Sequence, residues 1–262
     1  MRNGIDVSEH NGEINWTLVK NQIDFAFIRA GYGSSVDATF HRNASECSRL
    51  DIPFGVYWFS YALNQQDAGQ EAKTCIRLCS PYSGKLGIAF DYEDDSDRLF
   101  KKAWGRAANE NELCSMANAF LSNVKSSGYK PILYSNQNYL NRGFNAIKNS
   151  YSLWYANWRA ELPENAPKCE FWQHSASGRV NGIKTVVDLN KQFDSETVTK
   201  NHADIFNAAI EKLSEKRKEE YYNTAMLVLA GKFGNGETRK AALAACGYDY
   251  NIVQSIVNIL CG

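Results

Sequence analysis

Two carboxylates one residue apart, Asp91 and Glu93 in Gly87-Ile88-Ala89-Phe90-Asp91-Tyr92-Glu93, carry the clearest chemical signal in this sequence. Side chains alternate along a strand, so Ile88, Phe90 and Tyr92 face one way and Gly87, Ala89, Asp91 and Glu93 the other. Unpaired acids are costly to bury, and two acids after two small residues suit a strand end that opens into a cleft. A solvated acidic loop is the competing reading, because Asp94, Asp95 and Asp97 follow at once. Paired carboxyls in a cleft suit cleavage of a glycosidic bond, where one protonated group meets the leaving oxygen and a negative group faces the anomeric centre. Mutual repulsion would raise the proton affinity of one of them.

Such a pair needs a scaffold. Short apolar strand candidates recur at Gly4–Val7, Phe25–Ala30, Gly55–Ser60, Ile88–Glu93, Ile132–Ser135, Leu153–Trp158, Glu170–Gln173 and Val186–Leu189. Helix-period stretches lie between the early ones: Trp16–Ile23, Ala38–Leu50, Asp67–Cys79 and Glu110–Ser127. This alternation predicts an α/β chain with a parallel sheet, and eight strands favour a closed barrel over a doubly wound open sheet. After the sixth strand the spacers hold Pro163, Pro167, Gly178 and Gly182 with little room for a helix, so the expected barrel is irregular. Closure sets the first strand beside the last and brings Asp6 next to Asp188, both expected near the C-terminal ends of their strands. Either acid alone also reads as a structural aspartate, for instance one paired with Arg29. Aromatic faces for sugar rings are offered by Tyr57, Trp58, Tyr61, Tyr134, Trp154, Tyr155, Trp158 and Trp172, of which two or three are expected to touch sugar.

Composition narrows the function class. The 262 residues contain 29 basic and 29 acidic side chains, so no overall charge draws the protein to nucleic acid or to a membrane surface. No apolar run approaches the roughly 20 residues of a membrane span. The strand pattern begins at once, which leaves no room for a signal peptide and points to synthesis in the cytoplasm. Seven cysteines without a Cys-x-x-Cys read as buried free thiols, and with four histidines that lack ligand spacing they argue for neither a metal nor any other cofactor.

Beyond Phe193 the pattern turns helical. His202–Glu220 is a charged amphipathic stretch suited to a linker helix. The last forty or so residues read as a helix through Met226–Ala230, a glycine-rich turn 231–236, a helix Thr238–Ala245, and a helix Asn251–Leu260 with Asp249 as its cap. The expected division is a barrel over 1–198, a linker over 199–220 and a small all-α three-helix domain over 221–262.

The first part resembles glycoside hydrolase family 25, the cell-wall muramidases. The resemblance lies in Gly4-Ile5-Asp6-Val7-Ser8 with Asn11-Gly12, Phe27-Ile28-Arg29-Ala30, Phe90-Asp91-Tyr92-Glu93, Trp154-Tyr155-Ala156, Trp172-Gln173 and Val187-Asp188-Leu189-Asn190. It implies an irregular TIM-like barrel of about five βα units plus three strands. It also implies cleavage of the β-1,4 bond between N-acetylmuramic acid and N-acetylglucosamine in bacterial peptidoglycan. Glu93 is then the general acid, Asp91 orients or stabilises the reacting sugar, and Asp6 and Asp188 complete the acidic rim. Tyr61, Tyr134, Trp154, Trp158 and Gln173 would contact substrate. Retention or inversion stays open, because strand residues i and i+2 lie roughly 6.6–6.8 Å apart, between the two carboxyl spacings.

The C-terminal part resembles a three-helix cell-wall-binding repeat, through Leu229-Ala230-Gly231-Lys232-Phe233-Gly234-Asn235-Gly236, Arg239-Lys240, Gly247-Tyr248-Asp249-Tyr250 and Val253-Gln254-Ser255-Ile256-Val257-Asn258. Gly234, Asn235, Gly236 and Arg239 would grip the wall, and homo-oligomers through this unit would add avidity. Together the two resemblances imply a phage endolysin that reaches the wall after release from the host cytoplasm. A bacterial autolysin and a catalytically inactive wall-binding protein on a barrel scaffold are the alternatives.

Overall fold

The computed structural model describes residues 1–193 apart from 83 and 85, and residues 213–261. The chain divides into two compact units, Met1–Ser195 and Glu196–Gly262. In the first unit the strands are β1 (Arg2–Val7), β2 (Phe25–Tyr32), β3 (Ser35–Val36), β4 (Phe54–Phe59), β5 (Ile88–Asp91), β6 (Pro131–Asn136), β7 (Ser152–Ala156), β8 (Phe171–Gly178) and β9 (Val187–Gln192). Its helices are α1 (Trp16–Val19), α2 (Phe40–Arg49), α3 (Gln65–Cys79), α4 (Asp94–Trp104), α5 (Glu110–Ser126) and the short α6 (Gln137–Tyr139).

The sheet runs β1-β9-β8-β7-β6-β5-β4-β2-β3, and β1 also pairs with β2. Eight strands thus close a barrel, while β3 is a short hairpin partner of β2 outside the ring. The first five connections around the barrel carry helices and the last two do not, as expected. β9 is antiparallel to both of its neighbours. A parallel neighbour needs a crossover of a dozen or more residues, and the 179–186 loop is too short for one.

Strand alternation builds two cores. Phe25, Phe27, Ala89, Ile132, Tyr134, Trp154 and Phe171 fill the barrel interior. Ala26, Ile28, Phe90, Leu133 and Tyr155 face outward to the helices. The interior closes on its rings because Gly4 and Gly55 stand opposite Phe25 and Phe27, where a Cβ would lie 2.5 Å from ring carbons. Phe27 can then stack on Trp154, with centroids 4.2 Å apart.

The acidic run after Glu93 is no solvated loop. Asp94, Asp95 and Asp97 form the first turn of α4, where exposed backbone N–H groups and the helix dipole favour negative charge. Elsewhere the expected helices start on side-chain caps. Asn64 accepts the Gln66 and Asp67 N–H groups to open α3. Asn109 and Glu112 cap each other's backbone N–H groups to open α5. Cys75 and Cys79 share a buried face of α3, and Cys246 is exposed, against the expectation of burial.

In the second unit α7 (Glu215–Leu229), α8 (Gly236–Ala245) and α9 (Tyr250–Cys261) pack around Tyr221, Ala225, Val228, Leu243, Val253, Ile256 and Val257. Asp249 caps α9, its Oδ1 accepting the Asn251 and Ile252 N–H groups at 2.8 and 3.3 Å. Most of the anticipated linker helix lies outside the described residues. Its end is part of α7, which runs unbroken across residue 221. Among the described residues no helix is long and apolar enough to cross a membrane.

Candidate active site

Asp6 stands opposite Asp188 in the β1–β9 register. Asp91 ends β5, and Glu93 is the extended residue just before α4, its N–H donating to Ser96 Oγ at 3.1 Å. Glu93 is therefore held by a helix start and not by the strand itself. All four acids line one cleft of about 680 Å³ at the barrel end where the parallel strands finish. Asp188 reaches this rim from the start of β9, not from its expected C-terminal end, because the strand runs backward.

Amides fix the floor of the cleft. Asp6 Oδ2 accepts Asn190 Nδ2–H at 2.7 Å and Gln173 Nε2–H at 3.0 Å. Gln173 Oε1 in turn accepts the Tyr134 hydroxyl and the Trp158 indole N–H, each at 3.0 Å. Asn190 Oδ1 accepts the Trp154 indole N–H at 2.7 Å. Both amides are thus oriented by partners on each end. Asn190 escaped sequence reasoning as a site residue, although it shares the inward face of β9 with Asp188 and alternation alone would have marked it.

The carboxyls act on one another in two pairs: the Asp6 charge raises Asp188, and the Glu93 charge raises Asp91. Burial first, and then the Asp6 charge, push Asp188 up to about 8. Burial also raises Asp6, against the hydrogen bonds from Asn190 and Gln173 that favour its charge. Asp91 is held well above the ordinary range by burial and by the Glu93 charge, and its Oδ1 has no hydrogen-bond partner. Glu93 is raised mainly by burial. Each pair therefore binds a proton more tightly than isolated carboxyls do.

Arg29 does not pair with Asp6. Its Nε donates to Asp37 at 2.8 Å and its Nη2 to Glu9 at 3.0 Å, acids that follow β3 and β1 respectively. Tyr57, Tyr61, Tyr134, Trp154 and Trp158 line the cleft. Trp58, Tyr155 and Trp172 pack in the outer layer instead, because each lies one residue from an inward-facing neighbour and alternation turns it outward. Trp158 is 65% exposed, yet its indole is tethered through Gln173. In the second unit Arg239 braces the turn, donating to Gly234 O at 3.0 Å and to Gln254 Oε1 and Asn235 Oδ1 at 2.9 Å. Gly234, Asn235 and Gly236 are exposed beside it.

The chain has counterparts among known proteins. The family described as glycosyl hydrolases family 25 matches residues 5–183, and the CW_7 repeat matches residues 223–260. The chain belongs to glycosyl hydrolases family 25. It is 29% identical over 220 residues to the uncharacterized protein YegX of Escherichia coli K12, covering 80% of this chain and 71% of that one. Lysozyme M1 of Streptomyces globisporus is 26% identical over 204 residues, covering 72% and 66%. The modular autolysin LytC of Streptococcus pneumoniae, solved with a synthetic peptidoglycan ligand, matches with a TM-score of 0.64 at 29% identity. That match covers 72% of this chain and 46% of LytC, so the chain spans about half of that relative's length. As a family 25 member the protein is a glycoside hydrolase of the muramidase class. Its cleft holds the two elements such chemistry needs, a protonatable carboxyl and negative charge beside a sugar-sized hollow.

Proposed function

We propose that the barrel cleaves the β-1,4 bond between N-acetylmuramic acid and N-acetylglucosamine of bacterial peptidoglycan, and that the C-terminal repeat holds the enzyme on the wall. The observation that carries this reading is the meeting of Asp6, Asp91, Glu93 and Asp188 in one aromatic-walled cleft. Glu93 is the general acid, because of the Asp91–Glu93 pair it is the member more open to the cleft. Asp91, buried behind it, keeps a proton available and places negative charge near the anomeric centre once the proton has gone. Asp6 and Asp188 complete the rim. Tyr61, Tyr134, Trp154 and Trp158 supply ring faces for the sugars, and Gln173 fixes Tyr134 and Trp158 relative to Asp6.

On the repeat, Gly234, Asn235 and Gly236 offer backbone and amide groups to the wall while Arg239 sets their shape. In this reading the chain is an endolysin, made in the host cytoplasm and acting on the wall after release. Chains joined through the C-terminal unit would multiply a weak single attachment.

Glu93→Gln is expected to lower wall lysis by about 10²–10⁴-fold, the usual worth of a general acid, while folding and wall adsorption persist. Lysis at the wild-type rate would show that another group delivers the proton. Mass analysis of reduced digestion products should place the new reducing end on muramic acid, and a reducing N-acetylglucosamine would overturn the bond assignment.

A further inference from the structure

Besides Asp6, Asp91, Glu93 and Asp188, the barrel unit buries two more carboxylates among the described residues: Asp37, which pairs with Arg29, and Glu71, which is bonded to neutral donors. Glu71 lies on the inner face of α3 and is 7% exposed. Both of its oxygens are engaged. Ser60 Oγ–H donates to Oε2 at 2.6 Å, and the Tyr61 backbone N–H donates to Oε1 at 2.9 Å. The Ser60 hydroxyl oxygen also accepts the Ala62 N–H at 3.3 Å, and the Ser60 N–H donates to the Asp91 carbonyl at 2.7 Å. One side chain thus gathers residues 60–62, just after β4, onto α3 and against the end of β5.

That loop presents Tyr61 to the cleft. The Tyr61 ring sits edge-on to Phe59 and Tyr32, with centroids 5.3 and 6.4 Å apart, and close to Gly33, where a Cβ would lie 2.8 Å from it. An apolar residue at 71 would close the same space at less cost, since burying a carboxylate among neutral donors is unfavourable. What a carboxylate adds is direction: two strong, angle-dependent bonds leave the loop one place to sit.

We propose that Glu71 is a positioning residue for substrate, which through Ser60 and the Tyr61 amide sets where the Tyr61 ring meets the glycan. This rests on the reading of the cleft as a glycan site. Burial pushes Glu71 up to about 7, and the nearby Asp67 charge on α3 adds to the rise. Ser60 and the Tyr61 amide oppose it, as does the Trp58 indole N–H, which lies outside hydrogen-bond geometry. Cys75, a turn further along α3, feels the Glu71 charge. A proton taken up near neutrality turns an acceptor of two bonds into a group that must itself donate, so the loop is held tightly above this pH and loosened below it.

Two measurements on the full chain test this. The first is hydrogen exchange at the Tyr61 amide, which needs no catalysis. Glu71→Ala should lose protection there by about tenfold or more, whereas Glu71→Gln, which keeps an acceptor oxygen, should stay close to wild type. Unchanged protection in Glu71→Ala overturns the anchor, and Ser60→Ala serves in its place if that variant does not fold.

The second is steady-state kinetics on soluble peptidoglycan fragments. Wild-type KM should rise about fivefold from pH 8 to pH 6, the size of one weakened hydrogen bond, while the KM of Glu71→Gln stays flat and its kcat follows wild type. In a Tyr61→Ala background Glu71→Gln should have no further effect on KM. A Glu71→Gln KM that still follows the wild-type pH curve overturns the proposal. Failure of the wild type to cleave glycan at any pH would instead defeat the glycan reading, and amide exchange would still decide the anchor.

Discussion

Asp188 faces Asp6 across β1 and β9 and holds its proton up to about pH 8. An unfolded aspartate releases its proton near pH 4, so between about 4 and 8 the folded chain keeps a proton that the unfolded chain has lost. Stability from this residue therefore falls as pH rises through that window and is level above it. Asp188→Asn cannot ionise and should remove the decline, gaining on the order of 1–3 kcal/mol at pH 8, a figure reduced because the group is partly exposed. Thermal melts of both proteins at pH 5 and pH 8 check this. Parallel pH dependence in the two would mean that Asp188 titrates as an ordinary carboxylate. Activity should fall in the variant above about pH 8, where Asp188 carries a charge that an amide cannot.

At the scale of elements, the cleft depends on how β2, β4 and β7 share the barrel interior. Phe27 from β2 fills the space left by Gly55 on β4 and stacks on Trp154 of β7, whose indole in turn orients Asn190 and so Asp6. A methyl at residue 55 meets the Phe27 ring at 2.5 Å and the Gly87 carbonyl at 3.0 Å. Gly55→Ala should cost about 1–3 kcal/mol, as overpacking does, and should weaken wall lysis by displacing Trp154. Urea denaturation together with lysis rate reads both effects. A variant with wild-type stability would show that the interior has room which the packing does not reveal. The start of α4 bears on the same cleft from the other side, since it fixes the backbone of Glu93 through Ser96.

The molecule joins a catalytic barrel to a three-helix unit, and each has its own apolar core. A chain ending at residue 193 keeps every side chain assigned to the cleft. It should release products from soluble peptidoglycan fragments at a rate within about threefold of the full chain, since no assigned contact is lost. It should also fail to co-sediment with intact walls. Equal sedimentation of the two proteins would remove the wall-holding role from the repeat. Loss of activity on soluble fragments would mean that the barrel needs the second unit in order to work.

Much of this arrangement is legible from local pattern. Alternation along Gly87–Glu93 separates the two acids from Phe90 and Tyr92, and strand periodicity finds all eight barrel strands, because each strand's two faces meet different surroundings. Capping residues such as Asn109 and Asp249 announce helix starts for equally local reasons. What local pattern does not decide is which partner a side chain finds. Arg29 met Asp37 and Glu9 rather than Asp6, and the rings of Trp58, Tyr155 and Trp172 turned away from the cleft. The acids after Glu93 opened a helix, and β9 ran backward to bring Asp188 to the rim. Local sequence sets the conformation of a segment through its own backbone and its nearest side chains. The meeting of Asp6, Asp91, Glu93 and Asp188, and the proton affinities that follow, come from burial among residues far apart in the chain, which only the closed barrel supplies.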